Sequence, residues 1–149
     1  MNNLIEQLKG YLKAFEAIND GNYEGPAYFI DLVEYNGNEL ISMENYLIKK
    51  FIKEPKSLSF ERIENWKETF EKLFDLYFTR NIKPLTNLYK TVFIDMLKEY
   101  ISNEQVEVLG SGINDTYSCI TEYLREVSGT DILFIFKEKI LLFHFGIND

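Results

Sequence analysis

The sequence is poor in the residues that build disulfides and metal sites. Its 149 residues include one cysteine, Cys119, and one histidine, His144. A lone cysteine cannot form an internal disulfide, which excludes a disulfide-stapled secreted scaffold. Zinc sites need several His or Cys ligands, so we expect neither a bound metal nor a cofactor.

Nucleophilic catalysis would have to pair Cys119 with His144. The cysteine falls in a predicted helix, and the histidine lies between two phenylalanines in an apolar run. A small buried thiol and a hydrogen-bonded sheet histidine are the commoner roles of such residues. We therefore predict no catalytic residues and no enzymatic activity.

Excess positive charge is also missing. The chain carries 16 Lys and Arg against 24 Asp and Glu, a formal net charge of −8. Nucleic-acid binding needs a basic surface, so we expect no nucleic-acid partner. Gly110-Ser111-Gly112 also lacks the further glycine and the Lys-Ser/Thr pair of a phosphate-binding loop.

Long apolar runs are absent as well. No run approaches the roughly 18 residues that span a bilayer, and the first residues lack the basic head and apolar stretch of a signal peptide. The length suits one domain with a substantial core. The expectation is a single cytoplasmic domain over residues 1–149 with no membrane partner.

Apolar residues at helical spacing are abundant. Capping residues and this spacing together predict amphipathic helices. The helices lie near residues 3–18, 43–53, 60–77, 85–100 and 115–127, with N-caps at Ser42, at Ser57 or Ser59, and at Asp115. Residues 60–77 and 85–100 should pack antiparallel across residues 80–83.

Residues 26–41 fit two local structures. Pro26 could begin a short helix, or residues 27–33 could form a strand that turns at Asn36-Gly37 and pairs with residues 39–41. We favour the hairpin, because Asn-Gly between apolar runs is typical of a hairpin turn.

The C-terminus contains two nearly unbroken apolar runs, residues 132–136 and 140–145, around Lys137-Glu138-Lys139. They predict a hairpin in which Ile132 faces His144, and both of its faces need cover. The predicted fold is α+β: a small, mostly antiparallel sheet of residues 106–109, 131–137 and 139–146 against four to five amphipathic helices. A mostly helical fold with one hairpin is the alternative.

Tyrosines and carboxylates mix between residues 20 and 39, a composition suited to binding a basic protein. The predicted partner-binding residues are Asp20, Tyr23, Glu24, Glu34, Tyr35 and Glu39, and Tyr28 lies among them. The alternative is that the tyrosines edge the core and the acids are simply solvated. A second acidic candidate comprises Glu104, Glu107, Asp115, Glu122 and Glu126.

These features predict a non-catalytic acidic protein-binding domain. Its most concrete form is a bacterial immunity or inhibitor protein that neutralises a basic toxin or nuclease. The alternatives are a small-ligand or Tyr/carboxylate enzyme domain, and a structural homodimer formed through the hairpin. We expect a monomer or weak homodimer.

Overall fold

A computed structural model describes residues 3–19, 25–77 and 86–148 of the chain. These residues form five helices and one five-stranded antiparallel sheet, so the α+β prediction is confirmed. The helices are α1 (Asn3–Asn19), α2 (Glu39–Phe51), α3 (Trp66–Tyr77), α4 (Thr86–Ile101) and α5 (Cys119–Leu124). The strands are β1 (Gly25–Glu34), β2 (Glu61–Arg62), β3 (Glu107–Ser111), β4 (Ser128–Ile135) and β5 (Lys139–Asn148).

The C-terminal hairpin β4–β5 is the centre of the sheet, whose strand order is β1-β5-β4-β3-β2. One face packs against α1, α3 and α4, and the other against α2 and α5. The predicted cover on both faces is therefore confirmed. Since β1 and β3 also pair with both edges of the hairpin, the described residues leave no face or edge of its strands free for the alternative of a homodimer formed through the hairpin.

Aromatic rings fill the first of these faces. The ring of Phe70 in α3 lies 5.1 Å from that of Phe143 and 5.9 Å from that of Phe93, measured between centroids. Phe134 stacks on Phe70 at 6.0 Å. This packing explains the high aromatic content of the sequence, because large rings span the space between the sheet and three helices.

The register of the hairpin differs from the prediction by one residue. Asp131, rather than Ile132, is opposite His144, and Ile135 is opposite Ile140. The amide of Phe136 donates to the carbonyl of Lys139, so the turn is shorter than the three-residue loop expected. A one-residue shift gives every side chain of the hairpin a different cross-strand neighbour, and here it puts a carboxylate opposite His144.

In residues 25–41 the predicted strand is confirmed, but the predicted hairpin is wrong. The strand is β1, but it pairs with β5, and residues 39–41 begin α2 instead of returning as a strand. Asn38 caps this helix by accepting the Ile41 amide through its side chain. Ser42 is not the cap, because its hydroxyl binds Asn36 across the turn.

Two other predicted helices are too long. Residues 61–62 form β2, and α3 begins at Trp66 after Asn65, whose side chain accepts the Glu68 amide. Helix α5 begins after Ser118, not Asp115, and ends at Leu124. The predicted connection at residues 80–83 lies outside the described residues. No helix in the described ranges is long and apolar enough to cross a bilayer.

Candidate functional site

Half of the predicted partner-binding residues can be located. Asp20, Tyr23 and Glu24 lie outside the described residues. Glu34 ends β1 and is exposed, while Glu39 begins α2 and is partly exposed. They flank the turn between strand and helix, so the structure places these two carboxylates on one end of the molecule.

The two described tyrosines of this segment, Tyr28 and Tyr35, belong more to the core than to the surface. Tyr28 is buried, and its hydroxyl donates to the carbonyl of Tyr77 at 2.9 Å. Tyr35 is half-buried against the cluster beneath α2, and its amide donates to the carbonyl of Glu138. Tyr28 thus fits the alternative in which the tyrosines edge the core, and Tyr35 offers only part of its ring to a partner.

A depression lies between the outer edge of β1 and the side of α2, and we call it the β1–α2 groove. Its volume is about 390 Å³. The residues that line it are Leu32, Val33, Glu34, Asn36, Ser42, Asn45, Tyr46 and Lys49. The groove thus adjoins one of the predicted carboxylates and combines apolar, amide and charged groups.

Large apolar side chains are exposed on the two elements that form this groove. Leu32 is 41% exposed on β1, and Leu40 and Ile41 are 42% and 49% exposed in the first turn of α2. Ile41 lies one helical turn before Asn45, on the same stripe of α2. Exposed apolar residues rimmed by polar groups are typical of interaction surfaces.

Asp31 fixes the position of Tyr46, one of the residues that line the groove. Tyr46 donates its hydroxyl to this carboxylate at 2.6 Å, and Lys50 contacts it at 2.7 Å. Burial alone would raise the pKa of Asp31, but these bonds and the Lys50 charge lower it below its ordinary value. Burial and Asp31 raise the pKa of Tyr46, so this tyrosine stays protonated and is unsuited to act as a base.

The densest group of ionisable side chains lies inside the protein. Glu126, Asp131 and His144 form what we call the buried ion cluster. Nδ1 of His144 lies 2.6 Å from Asp131 Oδ1, and Nε2 lies 2.7 Å from Glu126 Oε1. The side chains of Asp131 and His144 are fully buried, and that of Glu126 is 1% exposed.

Two small residues make room for this cluster. Gly129 and Gly146 are opposite each other on β4 and β5. A Cβ atom at Gly146 would lie 2.1 Å from Glu126 Oε2, and one at Gly129 would lie 2.0 Å from the hydroxyl of Thr121. A side chain at Gly146 would therefore collide with the cluster, and one at Gly129 would collide with Thr121, so both positions require glycine for steric reasons.

Hydroxyl and amide groups complete the surroundings. Ser118 donates its hydroxyl to Asp131 Oδ1 at 2.9 Å, and the amide of Ile120 donates to Oδ2 at 3.1 Å. Thr121 donates to Glu126 Oε1 at 3.2 Å. Oε2 of Glu126 is buried and has no hydrogen-bond partner among the described residues. The start of α5 is thereby fixed to the sheet through carboxylates.

The position of His144 between two carboxylates sets its charge. Burial alone would lower the pKa of His144, but the hydrogen bonds and charges of Asp131 and Glu126 raise it to about 9. A neutral imidazole donates from one nitrogen only, whereas the protonated ring donates from both, one to each carboxylate. His144 is therefore a buried cation at neutral pH.

This cluster is a structural element in the geometry observed. No substrate can reach a fully buried imidazole, and both of its nitrogens are already engaged. The Cys119 thiol instead accepts from the Ser59 amide and donates to the Ser59 carbonyl. The described structure therefore forms no Cys119–His144 dyad. No group of His, Cys, Asp and Glu in the described ranges is arranged to hold a metal ion.

Sequence reasoning identified His144 as a residue that needs a hydrogen-bond partner but missed both partners. Glu126 was assigned to an acidic surface, and the structure corrects this, because the chain leaves α5 before this residue and turns it inward. Asp131 was missed because the predicted register placed Ile132 opposite His144. The one available signal was a single aspartate opening an apolar run that could lie opposite the single histidine.

Comparison with known proteins gives no relative from which a role could be transferred. No protein-family model matches the chain, and neither a curated protein nor a solved structure matches it.

Proposed function

We propose that the chain is a non-catalytic acidic protein-binding domain, in the form of a bacterial immunity or inhibitor protein that neutralises a basic toxin or nuclease. The observation that carries the proposal is the surface at the β1–α2 turn. There Glu34 ends β1 and Glu39 begins α2, and the next two residues of α2, Leu40 and Ile41, have exposed side chains.

The chemistry of this surface suits a basic protein. Apolar side chains supply area to bury, and the carboxylates and the net charge of −8 attract a cationic partner over distance. The surface rests on a rigid base, because β1 pairs with β5 along its length and Asn38 and Ser42 fix the turn. A pre-organised surface loses little conformational entropy on binding.

The test is binding to purified basic proteins encoded beside the gene of this chain. Glu34→Gln combined with Glu39→Gln should slow association about tenfold at low salt, because carboxylates at an interface rim act mainly on the association rate. Glu71→Gln combined with Glu99→Gln is the matched control. Both of these residues are exposed on α3 and α4, and the net charge changes equally.

The expected result is a complex that weakens as salt rises and that responds to the first pair of substitutions only. Equal effects of the two pairs would show nonspecific attraction by net charge and would count against this surface. If none of the basic proteins encoded beside the gene forms a salt-sensitive complex with the chain, the proposed function is overturned.

A small-ligand function has one specific observation in its favour. A second groove of about 390 Å³ lies between α1 and α4, and its lining includes Tyr11, Phe15, Tyr89 and Met96. No carboxylate among the described residues lines it, so the groove fits an apolar or aromatic ligand better than the alternative Tyr/carboxylate chemistry.

A further inference from the structure

The segment between β3 and β4 carries α5 across one face of the sheet, and we call residues 112–126 the α5 strap. Non-glycine residues with a left-handed backbone lie on both sides of its helix: Thr116 has a φ of 53° and Arg125 a φ of 60°. This conformation costs free energy in residues that carry a side chain. The strap is therefore strained at both ends while it is closed.

The α5 strap is attached to the sheet through the buried ion cluster. Asp131 of β4 accepts the hydroxyl of Ser118 at 2.9 Å and the amide of Ile120 at 3.1 Å, both from the strap. Glu126, the last residue of the strap, lies 2.7 Å from His144 of β5. The imidazole therefore lies between one carboxylate of the sheet and one of the strap, and its charge joins the two.

Apart from these ions, the strap buries little. Its helix has six residues, of which Ile120 and Tyr123 bury large apolar side chains. Its backbone exchanges two hydrogen bonds with Gly129, and the hydroxyl of Tyr123 donates to the carbonyl of Lys53. Strands β4 and β5, in contrast, are paired along their lengths and covered on both faces. A segment with few buried contacts opens at a lower free energy than the core of a sheet.

Glu126 is the less well satisfied of the two carboxylates. Its Oε2 has no hydrogen-bond partner among the described residues, whereas both oxygens of Asp131 accept hydrogen bonds. A neutral imidazole donates from one nitrogen only, so loss of the proton from His144 leaves one carboxylate facing a lone pair. A buried carboxylate without a donor is costly, and Glu126 regains water when the strap opens.

We propose that the α5 strap opens as a unit while the sheet stays folded, and that loss of the proton from His144 causes the opening. Among the described residues only Asp131 and Glu126 act on the imidazole with a charge, so α2 and α5 add none. Strand β1 contributes the uncharged ring of Phe29. Tyr77 of α3 lies on the other face and stays protonated, because burial and the two carboxylates raise its pKa. The strap and the β1–α2 turn share no residue, so the proposal does not rest on the proposed function.

The thiol of Cys119 measures the opening, because it begins α5 and is held by the backbone of Ser59. The probe is a coloured aromatic disulfide reagent, applied to the full chain at pH 7 and at pH 9. Each labelling rate is divided by that of the urea-unfolded chain at the same pH, which removes the ionisation of the thiol itself. The pKa of His144 is about 9 in the closed strap and returns towards 6.5 in the open one, so opening releases a proton and becomes easier as pH rises. The divided rate should therefore increase about tenfold or more.

Urea separates opening of the strap from unfolding of the whole chain. A local opening exposes little surface, so the labelling rate should respond to low urea much less steeply than the free energy of global unfolding does. A divided rate that is the same at both pH values overturns the proposal. A urea dependence as steep as that of global unfolding overturns it as well.

Glu126→Gln tests the attachment at neutral pH, because it removes the charge that the strap directs at His144. Amide exchange of Ile120 and Thr121 should accelerate about tenfold or more, while the ladder amides of β4 and β5 stay protected. Glu122→Gln is the matched control, since this carboxylate is exposed on the same helix and the net charge changes equally. Equal acceleration in the strap and the sheet would contradict a separate opening. If the Glu126 variant does not fold, labelling of the unmodified chain at the two pH values decides the proposal.

Discussion

The two faces of the sheet bury their side chains equally well but use different interactions. Under α1, α3 and α4, neighbouring rings such as Phe70, Phe93 and Phe143 pack in edge-to-face and tilted pairs. Under α2 and α5, the apolar cluster gives way to His144 and its two carboxylates. Adjacent residues of β5, Phe143 and His144, thus face entirely different surroundings.

The difference lies in how much each face tolerates change. Dispersion and burial are shared among many contacts, so a ring can be replaced by another apolar group at moderate cost. A buried ion has few partners, and removing one leaves the others unpaired in a low-dielectric interior. The ring-filled face should therefore tolerate substitution better than the ion cluster.

The largest expected effect is that of His144→Ala. The substitution leaves Glu126 and Asp131 as buried carboxylates without a cation and should lower the free energy of unfolding by about 3–5 kcal/mol. Urea unfolding followed by circular dichroism measures the loss. Phe143→Leu, on the other face, should cost less than about 1.5 kcal/mol because much of the apolar volume is kept. Equal costs for the two would contradict the comparison.

The next effect is a loss of stability in mild alkali. The pKa of His144 is raised from 6.5 to about 9 in the folded protein. A raised pKa contributes stability that is complete below pH 6.5 and disappears as pH rises through about 9. The expected loss between pH 6 and 9 is on the order of 3 kcal/mol. Urea midpoints across this range measure it.

The groups that face the imidazole define the control for this pH dependence. Asp131 approaches from β4 and Glu126 from the segment after α5, while β1 contributes only the uncharged ring of Phe29, 5.0 Å away. Tyr77 of α3 lies on the other face, and burial with the charges of Asp131 and Glu126 raises its pKa. Phe143→Leu should keep the slope between pH 6 and 9, and His144→Ala should remove most of it.

A smaller loss is expected from Gly146→Ala. The added Cβ would lie 2.1 Å from Glu126 Oε2, so the carboxylate must move away from His144. Overpacking of this kind costs about 1–3 kcal/mol. Thermal unfolding would show the loss, and a crystal structure of the variant should show a longer Glu126–His144 contact. An unchanged contact with unchanged stability would mean that the glycine is not needed for the cluster.

The aromatic face was largely predictable from the sequence, and the ionic face was not. Helical spacing identified Phe70, Phe74 and Phe93 as inward residues, because periodicity reports directly which side of a helix is buried. Strands β4 and β5 were found from their nearly unbroken apolar runs, which are typical of buried strands. Their pairing was not, since apolar residues on both sides of each strand fit neighbouring registers about equally well.

The buried ion cluster depends on that register and on the backbone turn that ends α5, which the spacing of apolar residues does not predict. Glu126 follows Arg125, which has a φ of 60° and ends α5 three residues earlier than the predicted helix does. In a longer helix Glu126 would be one of many surface carboxylates. For the candidate surface, the sequence predicted that Glu34 and Glu39 flank a turn. It did not predict that a helix begins directly after Asn38, because Asn-Gly suits hairpin turns and helix caps alike.

The smallest effect should have the opposite sign and falls on the helix layer of the aromatic face. Gly10 lies within α1 and is exposed, and a Cβ atom there would meet nothing within 4 Å. Alanine restricts the unfolded chain and favours the helix, so Gly10→Ala should stabilise the protein by about 0.5–1 kcal/mol. The pair Gly10→Ala and Gly146→Ala makes the same chemical change on the two sides of the sheet, and differential scanning calorimetry should record a higher Tm for the first and a lower Tm for the second. A lower Tm for Gly10→Ala would contradict the open space that the structure shows beside this residue.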